Sequence, residues 1–492
     1  MLSFLDSPMR RAGPTALAGP RTSLRDARGR ERPQLAAASH LVTALCYNRR
    51  TWSGGDGVGA QVKPAAILIV GGGAAGLLAA IASGRAGVPA TLLERNSRLG
   101  TKVLMSGGGR GNVTNTSDIP HTVSSFPGNG RFLYSALTRF GSDDLRALLA
   151  EEGVETKVED RGRVFPSAGG AKAVVGALER AARKAGAVIH TGTLVENVRL
   201  DGGGGGNGGG GGPDDAAFIV TAAGGRSWRA ARLILASGGV TYPETGTTGD
   251  GYRWVRGMGH EVAPLRPGLV ALETRETWPG QVSGVALREA TVHIHVGGRV
   301  WGQACGDVLF THFGLSGPAV LDVSRQAVVA GEAHPGEVAI GIRLDPETSA
   351  EAWSSRLEDR IRESPRVMAK NLFEGWWPAS LAEVLCTEAG TDPKSRAGQL
   401  PRAVRDRLAA YLFELRLTLA RPRPIEEAMV TAGGVSVREV DPRSMASRLV
   451  PGLFIAGEML DVDGPSGGYN LQAAFSTGWL AGEAAARSLR GG

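Results

Sequence analysis

The sequence predicts an α/β fold carried by a largely parallel sheet. Three observations lead there: an apolar run that breaks into a glycine turn and an Ala/Leu-rich helix near the start of the folded body; a second apolar run that ends in Gly-Glu close to the chain's end; and, between them, short alternating runs followed by helices with charged faces. At 492 residues the chain is long enough for two or three structural units.

Residues 1–63 come first and stand apart. They hold nine Arg and one Lys against four acids, in a setting of Ala, Ser, Gly and Pro. So little apolar surface excludes the segment from the core, and the missing apolar h-region and cleavage site exclude a secretory signal. A transit peptide for an organelle, chloroplast or mitochondrion, is expected, with a plain extension on a cytoplasmic protein as the alternative. This leader accounts for six of the seven net positive charges, which leaves the body balanced. No nucleic-acid partner is therefore expected from charge. Cys46, Cys305 and Cys386 form no Cys-x-x-Cys, which removes a disulfide framework, a dithiol centre and a cysteine zinc site, and no metal site is predicted. No apolar run approaches the ~18 residues that span a bilayer, so no membrane insertion is expected.

The body opens on Ala66-Ile67-Leu68-Ile69-Val70, apolar without alternation, as in a strand covered on both faces. Gly71-Gly72-Gly73-Ala74-Ala75-Gly76 follows and leads into a helix to about Ala86. In this G-x-G-x-x-G, Gly71 permits a tight turn, Gly73 lets backbone approach a pyrophosphate, Gly76 allows helix and strand to pack closely, and the helix N-terminus faces phosphate charge. A second strand, Pro89 to Leu93, ends at Glu94, 23 residues after Gly71, where the acid that holds the ribose hydroxyls of a dinucleotide belongs.

The next residues favour FAD over NAD. Arg98-Leu99-Gly100-Thr101-Lys102 and Ser106-Gly107-Gly108-Gly109-Arg110-Gly111-Asn112 supply unhindered backbone and cations just past the ribose acid, enough to run along a pyrophosphate toward an isoalloxazine. At the other end, Leu453 to Glu458 reads as a buried strand running into Gly457-Glu458. Ser466-Gly467-Gly468-Tyr469-Asn470-Leu471-Gln472 then starts an Ala-rich helix to about Arg487. A helix that begins in glycine aims free amides and a positive dipole at one spot, which in a flavoprotein is the N1 and C2 carbonyl edge that becomes anionic on reduction. Ten glycines between 202 and 212 separate two strand-like runs, Thr193 to Leu200 and Ala216 to Thr221, and read as a swollen hairpin loop without a function of its own.

These motifs, with Gly162-Arg163-Val164-Phe165-Pro166, Ala236-Ser237-Gly238-Gly239, Tyr242 through Gly251, Thr311 through Ala319 and Thr431 through Val435, resemble the YhiN/BaiN-like flavoproteins, an aminoacetone-oxidase-like family of FAD-dependent, NAD(P)-linked oxidoreductases. The resemblance runs over about residues 65 to 490. It implies a Rossmann-like, discontinuous FAD-binding domain at 65–260 and 430–492, an inserted β-rich unit at 261–347 and a helical unit at 348–429. The alternation of Ala290 to His295 and the charged helical pattern of 350 to 420 agree with it. The family pattern has Cys after the Arg of Ser-Gly-Gly-Gly-Arg, whereas this chain has Gly111, so thiol chemistry at that position does not carry over.

The candidate cofactor-binding residues are then Gly71, Gly73, Ala74, Ala75, Gly76, Glu94, Arg95, Lys102, Ser106, Gly107, Gly108, Arg110, Asn112, Val195, Gly238, Gly434, Gly457, Glu458, Gly468, Asn470 and Leu471. His312 is the candidate acid or base, although Ser316 and Pro318 could instead cap and start a helix there. Tyr242 and Tyr469 either line the ring or pack. Arg110 either neutralises phosphate or makes a surface ion pair, and Trp376 and Trp377 pack the helical unit. No second dinucleotide fingerprint follows a strand, so NAD(P)H, if it is the donor, binds transiently. The expected activity is hydride transfer between flavin N5 and a small organic substrate, with FAD regenerated by NAD(P)H or oxygen. A flavin-fold binding protein without turnover and a flavin-dependent RNA-modifying enzyme are the alternatives.

Overall fold

The computed structural model describes residues 62–201 and 217–490. The predicted leader lies outside them except for Val62 and Lys63, and the polyglycine tract lies outside them as well. Those two leader residues already belong to the first strand, Val62–Val70. It is longer than its apolar run because Val62 to Ala65 pair with Ser227 to Ala230 while only Ile67 to Val70 are buried.

This strand sits in a seven-stranded sheet. Ala90–Leu93 and Ser227–Leu235 flank it in parallel, and Val188–His190 extends the sheet beyond Ala90–Leu93. Leu453–Ile455, from the far end of the chain, runs parallel to Leu233–Leu235, which makes the domain discontinuous. The expected hairpin is present as the antiparallel pair Val195–Leu200 and Phe218–Ala222. Helix Ala74–Arg85 is buried from Ala74 to Ser83, and the last helix, Tyr469–Arg490, lies on it at backbone contact. A Cβ on Gly478 would stand 2.1 Å from the Ala75 carbonyl oxygen, and one on Gly482 2.1 Å from that of Ala79. Two glycines one turn apart are what let these helices touch.

The inserted β-rich unit closes on itself. Leu272–Thr274, Gly314–Ser316, Arg299–Thr311, Ala286–Val296, Val338–Arg343 and Leu415–Pro422 form a barrel in that order. The last of these strands falls inside the segment read as helical. Its strand character follows from period two, since Leu415, Leu417 and Leu419 are buried and Arg416 and Ala420 are exposed. Helices Ala350–Glu363, Ala379–Glu388 and Arg402–Phe413 are thus an excursion between two barrel strands. They share one apolar core with the barrel, in which Trp377 is buried and Trp376 packs edge-on to Trp353. Arg266–Gly268 pairs with Val430–Ala432 where the chain leaves the sheet domain and returns to it.

Candidate functional site

A cleft of about 1150 Å3 opens where Val62–Val70, Ala90–Leu93 and Ser227–Leu235 end, at the carboxyl edge of the sheet. The fingerprint glycines divide by role. Gly71, at φ +108°, would place a Cβ 2.3 Å from the Ala236 carbonyl oxygen, and Gly76 would place one 1.8 Å from that of Gly71. Both are demanded by packing. Gly73 is different: a Cβ there meets nothing within 4 Å, and with Ala74 and Ala75 the residue lines the cleft at a helix N-terminus. This is a cradle that any side chain would fill, and it fits a pyrophosphate.

Glu94 is buried and accepts from the Gly72 amide at 2.7 Å and the Asn96 amide at 2.8 Å. Burial pushes its pKa up against those two donors. The carboxylate thereby ties the glycine loop to the second strand and lines the cleft. Arg95 also lines the cleft, donating to Thr248 Oγ1 at 2.6 Å and lying 3.6 Å from Asp250. Lys102 and Glu458, 356 residues apart, form an ion pair at 2.6 Å that Thr241 and the Thr431 amide complete.

The second glycine run supplies the opposite rim. Gly107 and Gly108 both have positive φ, +56° and +65°, which breaks the helical path of Val103–Gly109 where it lines the cleft. The neighbouring Ser106 hydroxyl is buried without a partner and lines the cleft, so it is available to a ligand. The Asn112 amide group lies 3.2 Å from both the Thr114 carbonyl oxygen and the Gly468 nitrogen, which joins this run to the start of the last helix. Gly468, at φ +99°, passes so close to Thr114 that a Cβ would sit 2.4 Å from its carbonyl oxygen. Asn470 folds the preceding turn by bonding Gly464 through both its amide atoms at 2.8 Å. Gly457, Leu471, Val195 and Gly238 also line the cleft.

Four predicted site residues do not line it. Gly76 and Gly434 are packing positions, the latter with a Cβ 2.6 Å from the Met459 carbonyl oxygen. Arg110 is exposed, pairs with Glu159 at 2.5 Å and lies over the Phe165 ring, which is the surface-pair alternative. His312 is exposed on the turn between two barrel strands and sits edge-on to Phe313, away from the cleft. Pro318 does begin a helix, Pro318–Ala333, but Gly317 rather than Ser316 caps it, because Ser316 is still in a strand.

The barrel contributes residues that sequence reasoning missed. Arg288, Glu289, Cys305, Asp307 and Asp322 line the cleft opposite the sheet. Asp322 accepts from the Ser466 amide at 2.7 Å, and Arg161, a non-glycine residue at φ +59°, donates to the Cys305 carbonyl oxygen at 3.2 Å. Positive φ at Arg161 was foreshadowed only by the glycine that follows it. Two tyrosines also face the cleft. Tyr469 is 2.9 Å from Ser117 Oγ, whereas the Tyr242 phenol has no hydrogen-bond partner among the described residues.

Residues 65–484 match the model of the HI0933-like protein Rossmann domain. A 3-dehydro-bile acid delta(4,6)-reductase of Clostridium scindens is 32% identical over 421 residues, 85% of this chain and 98% of its own. Ribosomal RNA dihydrouridine synthases of Haemophilus influenzae and Escherichia coli are each 31% identical over 415 residues, 84% of this chain and 96% of theirs. Among solved structures, a 3-ketosteroid-delta4-(5alpha)-dehydrogenase from Rhodococcus jostii RHA1 aligns over 86% of this chain and 97% of its own, at 16% identity and a TM-score of 0.46. With a dinucleotide cradle at Gly73, an acid at Glu94 and an unspent hydroxyl at Ser106, the chain belongs to the HI0933-like Rossmann family and is an FAD-dependent oxidoreductase.

Proposed function

We propose that the chain is a reductase of carbon–carbon double bonds conjugated to a carbonyl, and that the Tyr242 phenol is its proton donor. Saturating such a bond takes one hydride and one proton on adjacent carbons. FAD supplies the two-electron chemistry at this cleft, with NAD(P)H as a transient donor.

The observation that carries the proposal is the way Tyr242 is held. Its backbone is left-handed, at φ +51°. Its amide donates to the Glu426 carbonyl oxygen at 3.0 Å, and its own carbonyl accepts from the Thr245 amide at 2.8 Å and the Thr245 hydroxyl at 2.7 Å. A bulky side chain held there costs about 1–3 kcal/mol, and such strain concentrates where position matters. Burial, helped by Glu244 and Glu427, pushes the phenol pKa up, so Tyr242 keeps its proton through neutral pH and can give it to a carbon that becomes more basic. The activities for which the relatives are named support the same bond. The bile-acid enzyme is named for reducing a 4,6-diene beside a 3-oxo group, and dihydrouridine is uridine with its carbonyl-conjugated ring bond saturated.

Tyr242→Phe should purify with full FAD and be reduced by NADPH at an unchanged rate. Its steady-state turnover should fall by about 10²–10⁴-fold. A panel containing a steroid dienone and uridine-containing ribosomal RNA tests the bond. Turnover of either supports the reaction, while reoxidation of the enzyme by neither overturns it. Undiminished turnover by Tyr242→Phe overturns the donor.

A further inference from the structure

We propose that His293, His295 and Glu414 form a binding site for a divalent transition-metal cation of the zinc class on the wall of the inserted barrel, separate from the FAD cleft. His293 and His295 alternate with Val292, Ile294 and Val296 on strand Ala286–Val296, so both imidazoles project from the face opposite the apolar core. Glu414 comes from the residue just before strand Leu415–Pro422, two strands away. The strand between them, Val338–Arg343, places Gly341 opposite His293 on one side and opposite Arg416 on the other.

Gly341 is what lets the three meet. A Cβ at this position would lie 2.6 Å from the Glu414 carboxyl carbon and 2.9 Å from His295 Nε2, so any other residue would occupy the gap. Across it, His295 Nε2 stands 3.0 Å and His293 Nδ1 3.5 Å from the same oxygen, Glu414 Oε1. One ligand atom from each residue lies within 4.8 Å of the others, close enough for a single ion to draw them together.

Two further facts separate this cluster from an ordinary buried ion pair. All three residues are more than nine-tenths buried, yet Nδ1 of His293 meets Glu414 Oε1 only at 3.5 Å, beyond a good hydrogen bond, and Nδ1 of His295 has no hydrogen-bond partner. A buried imidazole nitrogen held that far from its only nearby acceptor is unusual unless something stands between them. The carboxylate also divides its work: Arg416 bonds Oε2 at 2.5 Å and leaves Oε1 to the histidines, as an outer partner does when it orients a metal ligand. Two imidazoles and a carboxylate are a three-ligand zinc set with a fourth position for water. Since Glu414 follows the last helix of the excursion, a bound ion would pin the returning chain to the first long barrel strand. The contiguous His-x-His is visible in the sequence, whereas its carboxylate partner is 119 residues away from His295.

The test uses the full-length, FAD-loaded protein, stripped with a chelator and titrated with Zn2+ against a chromophoric competitor and separately with Co2+. We expect one equivalent bound, a visible tetrahedral Co2+ spectrum, and a rise in Tm on adding Zn2+ that EDTA reverses. In His293→Gln/His295→Gln both the binding and the Tm shift should be lost while FAD content is unchanged. Should the double variant not fold, Gly341→Ala, which fills the gap while keeping all three ligand residues, is expected to lose the metal. No bound Zn2+, or binding that survives both variants, would mean that Arg416 and the histidines simply neutralise Glu414, and would overturn the proposal.

Discussion

The two walls of the cleft are made of different material. On the sheet side, from Gly71 to Asn112 and from Gly457 to Leu471, the surface is rich in backbone, with Gly71, Gly100, Gly107, Gly108, Gly457, Gly467 and Gly468 at positive φ and two helix N-termini. On the barrel side it is side chains, namely Arg288, Glu289, Cys305, Asp307 and Asp322. A backbone wall suits parts of a ligand that never vary, such as phosphates and a flavin edge. A side-chain wall can be rewritten one residue at a time, which is where substrates are told apart. One half of the cleft is therefore specified by short contiguous motifs, and the other by which distant strands happen to pair.

The hardest test of that contrast lies within one motif. Gly73→Val should give a folded, colourless protein, because its side chain enters only the cofactor's space, whereas Gly76→Val should give no folded protein, because it collides with the Gly71 carbonyl. Visible absorption and circular dichroism of the two variants read this directly, and flavin retained by Gly73→Val would remove the cradle from the account. Next in size, Glu94→Ala leaves the Gly72 and Asn96 amides unpaired, at about 1–3 kcal/mol each. FAD affinity by equilibrium dialysis should fall on the order of 10- to 100-fold, and an unchanged Kd would place the ribose elsewhere.

Where the walls join, Asp463 is buried beside Arg325 at 2.9 Å and burial raises its pKa to about 6. In the unfolded chain its pKa is near 3.8. The folded state therefore holds the proton more tightly in between, and its stability is greatest below this window and declines as pH rises through about 6. The decline should be on the order of 2–3 kcal/mol, from about 1.4 kcal/mol per pKa unit. Chemical denaturation of Asp463→Asn between pH 4 and 7 should show a flatter profile; a profile as steep as that of the unaltered chain would assign the effect to another group. The smallest effects belong to Arg110→Ala and His312→Ala, which should leave FAD content and turnover unchanged, since both side chains lie outside the cleft. Loss of flavin in Arg110→Ala would redraw the sheet-side wall.

What was legible in the sequence follows the same divide. Gly71, Gly73 and Glu94 carry their roles in one βαβ unit, so spacing alone placed them, and the run Leu453 to Leu471 did the same at the other end. Leu415–Pro422 was readable but overridden: its alternation is plain, yet it follows three charged helices and was absorbed into them. His312 misled because a histidine in a recognisable motif carries no sign of which way its turn faces. Tyr242 could be named as a candidate, but its left-handed backbone and free phenol depend on Glu426, Thr245 and Thr247, which no local pattern predicts. Asp322 was missed because helix Pro318–Ala333 of the inserted unit brings it to the cleft, and Arg161 because nothing in the turn before Arg163–Pro166 marks which way its side chain faces.

The contact of Gly478 and Gly482 with Ala75 and Ala79 bears on the order of manufacture. The first helix of the body meets its partner only after Gly478 and Gly482, about 400 residues later, have left the ribosome, and Leu453–Ile455 and Gly468 come shortly before them. At about 5–20 residues per second, the early fingerprint waits tens of seconds, bare and unable to close, while the barrel is being translated. A chain terminated before Tyr469–Arg490 lacks part of the flavin cradle, so flavin colour would report that synthesis has passed this helix.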